Sequence, residues 1–414
     1  MRSTLALSFA ITASSALASP LLDIRDSRGI SNTTGLPASF NQTTGASNAT
    51  ALNCTSFVKT FELTSNNTLL AIPIPTGAKA VSDLVTDFVS VNTNFTGEYL
   101  VGSNETTGSY DIWMQYCEPA GGATKNATLE LIHGINFDHS YWSFNTSSNG
   151  TEYNFIQAAA NAGYATLAYD RLGVAQSSKP NGINVTQTAT EVAIANAVAE
   201  ALRNGTLVPG NSVQPAEQVV AIGHSYGSAQ SHGLATMHPD AVDAVVLTGF
   251  STNGQGVPLF LSASTYSPAS EVNATRFGNY SNEYLLSGTI QGDRQLFFYN
   301  GGYDEEVFVK GEAARQTVTI GELLTLGGPI APPQAASNFT GDVLVVTGSH
   351  DLVYCAGGCI RNGTNLPAEV QTLYPNAGSF ETYLPAYTGH AINLHYSAPE
   401  TYAYVFEWLS QHGL

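Results

Sequence analysis

Charge is scarce in this sequence, and positive charge most of all. Only 11% of the 414 residues are charged, and 14 Lys and Arg stand against 32 Asp and Glu, for a formal net charge of −18. Such an acidic surface argues against nucleic acid or an anionic membrane as a partner. The acidic residues are spread along the chain, which is typical of a solvated surface.

Long apolar runs are missing as well. No stretch reaches the ~18 uncharged apolar residues of a membrane span, and the C-terminal residues Glu407–Leu414 carry no hydrophobic anchor signal. Residues 1–18 combine Arg2, the apolar run Leu5–Ile11 and the small-residue end Ala16-Leu17-Ala18. This pattern predicts a secretory signal peptide, and therefore a secreted protein without a membrane span.

Cysteine is too rare for a disulfide-dense scaffold, since the chain has only 4. Secretion would permit disulfides, and the short Ala-Gly-Gly segment between Cys355 and Cys359 is flexible enough to close locally. Cys54 and Cys117 would then pair and tie the N-terminal extension to the sheet. Three connectivities are possible, and we favour this one. No histidine lies at ligand spacing to the C-x₃-C pair, so a disulfide is preferred there to a metal site.

Sequons for N-glycosylation are dense, from Asn32 to Asn362. A chain rich in Asn and Thr produces some of them by chance. Their density is nevertheless typical of a eukaryotic secretory glycoprotein, in which sugar compensates for a low surface charge. The sequence therefore predicts N-linked glycans.

The composition changes near residue 50. Residues 19–50 are rich in Ser, Thr and Asn and poor in large apolar side chains, which predicts a disordered or processed leader. The rest, 51–414, has ample apolar material for one large domain with an insertion, although the length alone would allow two or three domains. Alternating segments at Glu98–Val101 and Tyr110–Tyr116, separated by Gly102–Gly108, predict an antiparallel hairpin.

Short apolar segments then alternate with helical ones. One amphipathic helix is predicted from Thr188, with Glu191 completing a capping box and lying on the polar face. The alternation implies right-handed crossovers and a mostly parallel α/β sheet with helices on both faces. The predicted strands are Leu129–Ile132, Tyr164–Tyr169, Val219–Ile222, Ala244–Leu247, Val343–Val346 and Thr382–Leu384. Further helices are predicted at Ser225–His238, near Pro367–Leu373 and at Pro399–Ser410.

The alternation stops between about residues 251 and 338. This stretch is rich in Tyr, Phe and Gly, has helix-like pieces and shows no convincing strand. Because the pattern resumes afterwards, we expect a cap inserted into one domain, between the fourth-from-last strand and the later ones.

Gly223-His224-Ser225-Tyr226-Gly227 matches the pattern G-x-S-x-G. The pattern alone is weak in a chain with 39 Gly, but here a predicted strand precedes it and a helix follows it. In that setting the turn strains the serine, the glycines leave room for close packing, and the hydroxyl projects above the sheet. Ser225 is the predicted nucleophile.

A serine hydroxyl needs a positioned base to take its proton. In the order serine, acid, histidine, Asp351 is the predicted acid because it follows the strand Val343–Val346 in a polar turn, whereas Asp342 precedes that strand. His390 lies between the last predicted strand and the last helix and is the predicted base. His395 is expected to pack or cap instead.

Two further histidines, His224 and His350, adjoin the predicted serine and acid and are expected to lie beside the site without acting as the base. An oxyanion also needs two N–H donors. One is predicted from Tyr226. The other is predicted from the loop that follows Leu129–Ile132, with Ile135 as the donor and Asn136 as the second choice, because Gly134 lets that backbone come close.

In this order and on this strand–helix pattern, the motifs resemble the α/β-hydrolase superfamily over roughly residues 98–414. They are Gly223–Gly227, His133-Gly134, Asp351 and His390, with Tyr169–Gly173 as a further turn common in its members. Leu131–Gly134 with Ser140-Tyr141-Trp142 resembles secreted fungal serine esterases. The resemblance implies a Ser–His–Asp hydrolase without a metal or organic cofactor.

The sequence thus predicts a secreted carboxylic-ester hydrolase that acts through an acyl-enzyme on a small-molecule ester or lactone. A serine nucleophile argues against the epoxide hydrolase and dehalogenase branches, which use a carboxylate. A lactonase or thioesterase would use the same residues, as would a non-hydrolytic cyclase, lyase or acyl transferase of secondary metabolism. A binding protein on an inactive scaffold would be expected to lack one of the three residues, and this chain keeps all three.

Overall fold

A central sheet organises the chain. The computed structural model describes residues 50–145, 152–208, 213–326 and 333–414. The signal peptide predicted at 1–18 lies outside these ranges, as does the leader predicted at 19–50 apart from its last residue, so both stay predictions. The described residues fall within one compact unit.

The strands of the described residues vary from 2 to 20 residues in length. In chain order they are β1 (Leu52–Leu70), β2 (Leu100–Pro119), β3 (Ala127–Ile132), β4 (Ala165–Tyr169), β5 (Gln218–His224), β6 (Ala244–Thr248), β7 (Ser267–Pro268), β8 (Tyr284–Leu286), β9 (Val318–Thr319), β10 (Asp342–Val346), β11 (Ile360–Arg361), β12 (Thr364–Asn365) and β13 (Phe380–Tyr383).

The helices of the same residues include four short 3₁₀ segments, His139–Trp142, Gly254–Gly256, Leu366–Leu373 and Ile392–Leu394. The α-helices are α1 (Ala78–Val89), α2 (Phe95–Tyr99), α3 (Phe155–Asn161), α4 (Thr188–Arg203), α5 (Tyr226–Met237), α6 (Val257–Ser264), α7 (Ala269–Val272), α8 (Ala274–Phe277), α9 (Ile290–Phe297), α10 (Glu305–Ala314), α11 (Ile320–Thr325), α12 (Leu352–Cys355) and α13 (Ala398–Gln411).

Within the described ranges, eight strands form the central sheet in the order β1-β2-β4-β3-β5-β6-β10-β13. The pairs β1–β2 and β2–β4 are antiparallel, and the remaining neighbours are parallel. The parallel strands are buried almost throughout, as expected where helices cover a sheet, except for the edge strand β13, which is mostly half-buried. Helices α4 and α5 pack together over β5, while α3 and α13 pack together beside β2 and β4. The predicted mostly parallel α/β sheet is confirmed.

The predicted hairpin within residues 98–116 is wrong. Residues Gly102–Gly108 do not turn but lie inside β2, which runs without interruption from Leu100 to Pro119. Its antiparallel partner is β1, an earlier segment of the chain. Pairing with β1 satisfies the backbone of this polar segment, and such a distant partner leaves no local signal in the sequence.

The capping box predicted at Thr188 is also wrong, although α4 does begin there. The residue that precedes the helix is Gln187, without a side-chain cap, and Glu191 is buried rather than on a polar face. A capping box forms instead at the start of α11, between Thr319 and Glu322. The carboxyl group of Glu191 pairs with Arg171, a partner that local spacing does not reveal.

The chain leaves the central sheet after β6 and returns at β10. This excursion follows β6, which is the third-from-last strand of the sheet and not the fourth-from-last as predicted, since only β10 and β13 come after it. The excursion contains helices α6–α11. It also holds a small antiparallel sheet in the order β7-β8-β9, although the sequence predicted no strand there. Each of these strands is only two or three residues long, too short for an alternating pattern to show. We call residues 251–326 and 333–338 the cap.

Both predicted disulfides are present. Cys54–Cys117 joins paired positions of β1 and β2, and Cys355–Cys359 closes the turn that follows Asp351. None of the helices in the described ranges has the length and apolar character needed to cross a bilayer.

Candidate active site

Ser225 occupies the tight turn between β5 and α5. Its backbone angles, φ 55° and ψ −114°, are strained for a residue other than glycine. Close packing explains the flanking glycines: a Cβ at Gly227 would lie 2.0 Å from the carbonyl oxygen of Ile132, and a Cβ at Gly223 would lie 2.3 Å from that of Gly227. Ser225 is partly exposed, while His224 and Tyr226 on either side are buried.

Asp351 and His390 are joined directly. Nδ1 of His390 lies 2.7 Å from Oδ2 of Asp351, and both side chains are buried. The other oxygen, Oδ1, accepts the backbone N–H of Tyr354 at 2.9 Å, which fixes the carboxylate at the start of α12. Because the carboxylate accepts, the Nδ1 of His390 carries the proton and Nε2 is left as the acceptor.

Ser225 lies in the same neighbourhood as this pair. The imidazole centroids of His390 and of His224, the residue before Ser225, are 5.1 Å apart. A Cβ added to Gly249, which follows β6, would lie 3.2 Å from Cε1 of His390. No hydrogen bond joins Ser225 Oγ to His390 among the described residues. Such bonds are often long in sites without substrate and shorten when substrate binds.

The loop after β3 approaches the serine closely. A Cβ at Gly134 would lie 2.9 Å from Cβ of Ser225 and 3.0 Å from the carbonyl oxygen of His224, so only glycine fits there. Ile135, the predicted donor, is buried next to it. Within the described ranges, no acceptor is found for the N–H of Ile135 or of Tyr226, the first residue of α5, where helical N–H groups lack partners.

The neighbouring histidines are neutral and structural. His224 is buried, stacks on Tyr141 at 4.5 Å, and has Nδ1 3.1 Å from Oγ1 of Thr248. Burial holds the pKa of His224 well below its usual value. His350 stacks on Tyr299 of the cap at 4.0 Å, and its Nδ1 lies 2.9 Å from Oγ of Ser349.

His133 holds the loop that carries Ile135. Its Nε2 accepts the backbone N–H of Arg171 at 3.1 Å, so Nδ1 carries the proton and donates to the carbonyl of Gly134 at 2.9 Å. In the sequence, His133 stood out only as part of the motif His133-Gly134. Its two bonds show that it connects this loop to the turn that follows β4.

His395 supports the loop that carries His390, a role beyond the packing or capping expected of it. Its Nε2 accepts the N–H of Gly389 at 3.0 Å and that of Tyr299 in the cap at 3.1 Å, and its Nδ1 donates to the carbonyl of Ala391 at 2.8 Å. The fully buried ring thus contacts the residues on both sides of His390. Its spacing from His390 was visible in the sequence, but its three partners were not.

His395→Leu is expected to destabilise the fold by about 1–3 kcal/mol for each amide left without an acceptor. Burial lowers the pKa of His395 to about 4 from 6.5. The unfolded chain therefore binds this proton more readily, so the contribution of His395 to stability is complete above pH 6.5 and declines as the pH falls towards 4.

Thermal unfolding as a function of pH tests this. The melting temperature of wild type should fall towards acid pH, and His395→Leu should remove part of that slope. Gln371→Leu, an exposed substitution of a residue that does not titrate in the segment Leu366–Leu373, serves as the control. A variant as stable as wild type at neutral pH would contradict the role of His395.

Asp138, His139 and Asp170 form a cluster that has metal-ligand chemistry. Its atoms already have partners: Nδ1 of His139 lies 2.6 Å from Oδ1 of Asp170, and Asp138 accepts the N–H of Ser140 at 2.9 Å and the amide of Gln316 at 2.7 Å. Hydrogen bonding explains this cluster, and we assign it no ion.

Comparison with known proteins supports the fold. A crystal structure from a study of carboxylesterases of the thaumarchaeon Nitrososphaera gargenis has a TM-score of 0.50 at 16% sequence identity. The match covers 73% of this chain and 95% of the archaeal chain. An esterase from Thermogutta terrifontis has a TM-score of 0.48 at 13% sequence identity, and the match covers 74% of this chain and 96% of the esterase. A monoacylglycerol lipase from Paleococcus ferrophilus has a TM-score of 0.45 at 15% sequence identity, and the match covers 70% of this chain and 96% of the lipase.

At 16% identity and a TM-score of 0.50, the similarity to the Nitrososphaera gargenis structure shows the fold alone and no activity. The search of curated proteins finds no match. The sequence model of the alpha/beta hydrolase family, however, matches residues 131–403, which is more than half of the chain and includes Ser225, Asp351 and His390. The chain therefore belongs to the alpha/beta hydrolase family.

Proposed function

We propose that the chain is a serine hydrolase that cleaves carboxylic esters. The observation that carries the proposal is the buried hydrogen bond between His390 and Asp351 beside the strained turn at Ser225. A buried carboxylate that orients one nitrogen of an imidazole leaves the other free to act as a base. The fold alone would not support an activity, whereas this constellation does.

The reaction follows from these groups. Oγ of Ser225 attacks the acyl carbon, and Nε2 of His390 takes the hydroxyl proton. The N–H groups of Ile135 and Tyr226 donate to the carbonyl oxygen as it becomes negative. The tetrahedral species then collapses, its C–O bond to the alcohol breaks, and His390 returns the proton to that oxygen. Water, deprotonated by the same imidazole, hydrolyses the acyl-enzyme and restores Ser225.

The cap closes over this site from one side. The ring of Phe297 stacks on the imidazole of His390 at a centroid distance of 5.7 Å, and its carbonyl accepts the N–H of Ala391 at 2.9 Å. An apolar wall next to the base excludes water and favours an apolar acyl or alcohol group. Lactones and thioesters would react with the same groups by the same steps.

A fluorophosphonate probe tests the nucleophile, and a panel of p-nitrophenyl esters of graded chain length, with lactones alongside, tests the substrate class. We expect one covalent adduct, mapped by mass spectrometry to Ser225, and net release of acid from at least one ester. Product formation without net hydrolysis would point instead to an acyl transferase or a cyclase. No adduct and no turnover would refute the proposal.

We further propose that the protein is secreted and N-glycosylated, like the secreted fungal esterases that its motifs resemble. The sequon asparagines of the described residues are mostly exposed. The exposed ones are Asn53, Asn66, Asn94, Asn104, Asn126, Asn145, Asn204, Asn279, Asn338 and Asn362. Exposure on strands and turns leaves room for sugar at the surface.

Asn184 is expected to carry no glycan. Its Oδ1 accepts the N–H of Leu70 at 2.8 Å, and its Nδ2 lies 3.3 Å from the carbonyl oxygen of the same residue. A sugar on Nδ2 would compete with this pair. Enzymatic deglycosylation in heavy-oxygen water, followed by peptide mass spectrometry, should label Asn66 and leave Asn184 unlabelled. The reverse pattern would contradict the assignment.

A further inference from the structure

Asn136 follows the predicted oxyanion donor Ile135 directly and has a left-handed backbone. Its φ is 69°, in a region that residues other than glycine adopt only when their surroundings hold them there. This conformation bends the chain immediately after Ile135, two residues beyond Gly134, which packs closely against Ser225. Whatever holds Asn136 therefore also holds the candidate oxyanion donor.

The cap supplies the contacts that hold Asn136. Its Nδ2 donates to Oδ1 of Asp293 at 3.0 Å and to Oγ of Ser287 at 3.3 Å. Its carbonyl accepts the backbone N–H of Gln316 at 3.0 Å. Asn136, Asp293 and Ser287 are all buried, so water does not compete for these bonds.

The side chain of Asp293 has further partners within the cap. Its Oδ2 accepts the hydroxyl of Ser287 at 2.5 Å and lies 3.5 Å from Nη1 of Arg315. Arg315 also pairs with Glu312 at 3.0 Å. The carboxylate therefore has partners within the cap on one side and the oxyanion loop on the other.

We propose that Asp293 and Asn136 are positioning residues, through which the cap holds the backbone of Ile135 in place for oxyanion binding. The inference rests on the proposed function. Interactions that act on the developing negative charge lower the barrier without changing ground-state binding. Loss of the Asp293–Asn136 bond should therefore lower kcat and leave KM nearly unchanged.

Four variants separate the contributions. Asp293→Leu removes the acceptor, and Asp293→Asn keeps an oxygen that can accept from Asn136. Asn136→Gly keeps the backbone conformation without the anchor, and Asn136→Ala loses both. Ser270→Ala, in a cap helix away from the loop, is the matched control.

For Asp293→Leu and Asn136→Ala we expect kcat to fall by about 10- to 100-fold, because a small displacement of an oxyanion donor costs that much. KM should stay within about threefold. Asp293→Asn should recover most of the rate, and Asn136→Gly should lie between wild type and Asn136→Ala. A trifluoromethyl ketone, whose serine adduct carries the oxyanion, should lose affinity in proportion to kcat/KM.

Several results would overturn this inference: a folded Asp293→Leu with the kcat of wild type, a rise in KM at constant kcat, or inhibitor affinity that does not follow kcat/KM. If Asp293→Leu does not fold, the test rests on Asn136→Gly and Asn136→Ala. Values of kcat equal to that of wild type in both of these variants would refute the inference. Absence of esterase activity in wild type would instead refute the proposed function itself.

Discussion

Ser225→Ala is expected to lower kcat for ester hydrolysis by about 10⁴- to 10⁶-fold and to abolish the fluorophosphonate adduct. The hydroxyl is the only group proposed to form the acyl-enzyme, and neither His390 nor Asp351 can replace it. Initial rates with the best ester of the panel measure the loss. Ser82→Ala, on the exposed face of α1, should behave as wild type. Equal turnover by Ser225→Ala and wild type would remove Ser225 from the mechanism.

The same position should show the cost of the strained turn. At φ 55° and ψ −114° a side chain at residue 225 is strained, whereas glycine is not. Ser225→Gly should therefore be more stable than Ser225→Ala by about 1–3 kcal/mol, the usual cost of such a conformation. Urea unfolding of the two inactive variants measures the difference. Equal stability would show that the turn is relaxed.

Arg171→Met is expected to destabilise the protein by about 3–5 kcal/mol, because it leaves buried carboxyl groups without their cation. Arg171 is fully buried, and its Nη1 pairs with Glu191 at 2.8 Å and with Glu322 of the cap. Its guanidinium also lies 4.7 Å from the ring centroid of Tyr226, which we propose as the second oxyanion donor. Denaturant unfolding at neutral pH measures the loss.

Glu191→Gln should be far milder at neutral pH and should change the pH dependence. Burial, opposed by Arg171 and reinforced by Glu322, raises the pKa of Glu191 to about 8 from 4.5. The folded state therefore keeps a proton that the unfolded chain has lost. This contribution to stability is complete below pH 4.5 and disappears as the pH rises through 8.

Comparison of wild type with Glu191→Gln isolates the contribution of Glu191 to the pH dependence of stability. Burial also raises the pKa of Glu130, and it raises that of Glu312 to about 8, so wild type should lose stability towards alkaline pH for several reasons. Glu191→Gln should lose less than wild type between about pH 5 and about pH 9. Parallel stability curves would show that Glu191 is ionised in the folded protein.

Much of the architecture was readable from local patterns. The parallel strands, α4 and α5, the final helix and the Cys355–Cys359 disulfide follow from apolar spacing, turn residues and short loops. The segment near Pro367–Leu373 was recognised as helical but forms a 3₁₀ segment. The long β1–β2 pairing and the short cap strands were not predicted, because strand pairing depends on a distant partner or on too few residues to show a period.

For the candidate site, the sequence indicated the loops but not their support. Ser225, Asp351 and His390 were found from a motif and from their order relative to strands. The supporting bonds of His133 and His395 could not be inferred, because a histidine shows nothing in the sequence about which nitrogen is bonded. Glu191 was assigned to a polar surface, since a carboxylate at a helical position is usually exposed.

The sequence by itself determined which segments become the parallel strands and where the strained serine turn lies, because these depend on neighbours a few residues apart. Only the tertiary structure decided that Asp351 reaches His390, that Arg171 is buried between two carboxyl groups, and that Asp293 of the cap holds Asn136. Each of these is a contact between residues far apart in the chain. Such a contact exists only after packing has excluded water and brought the two partners together.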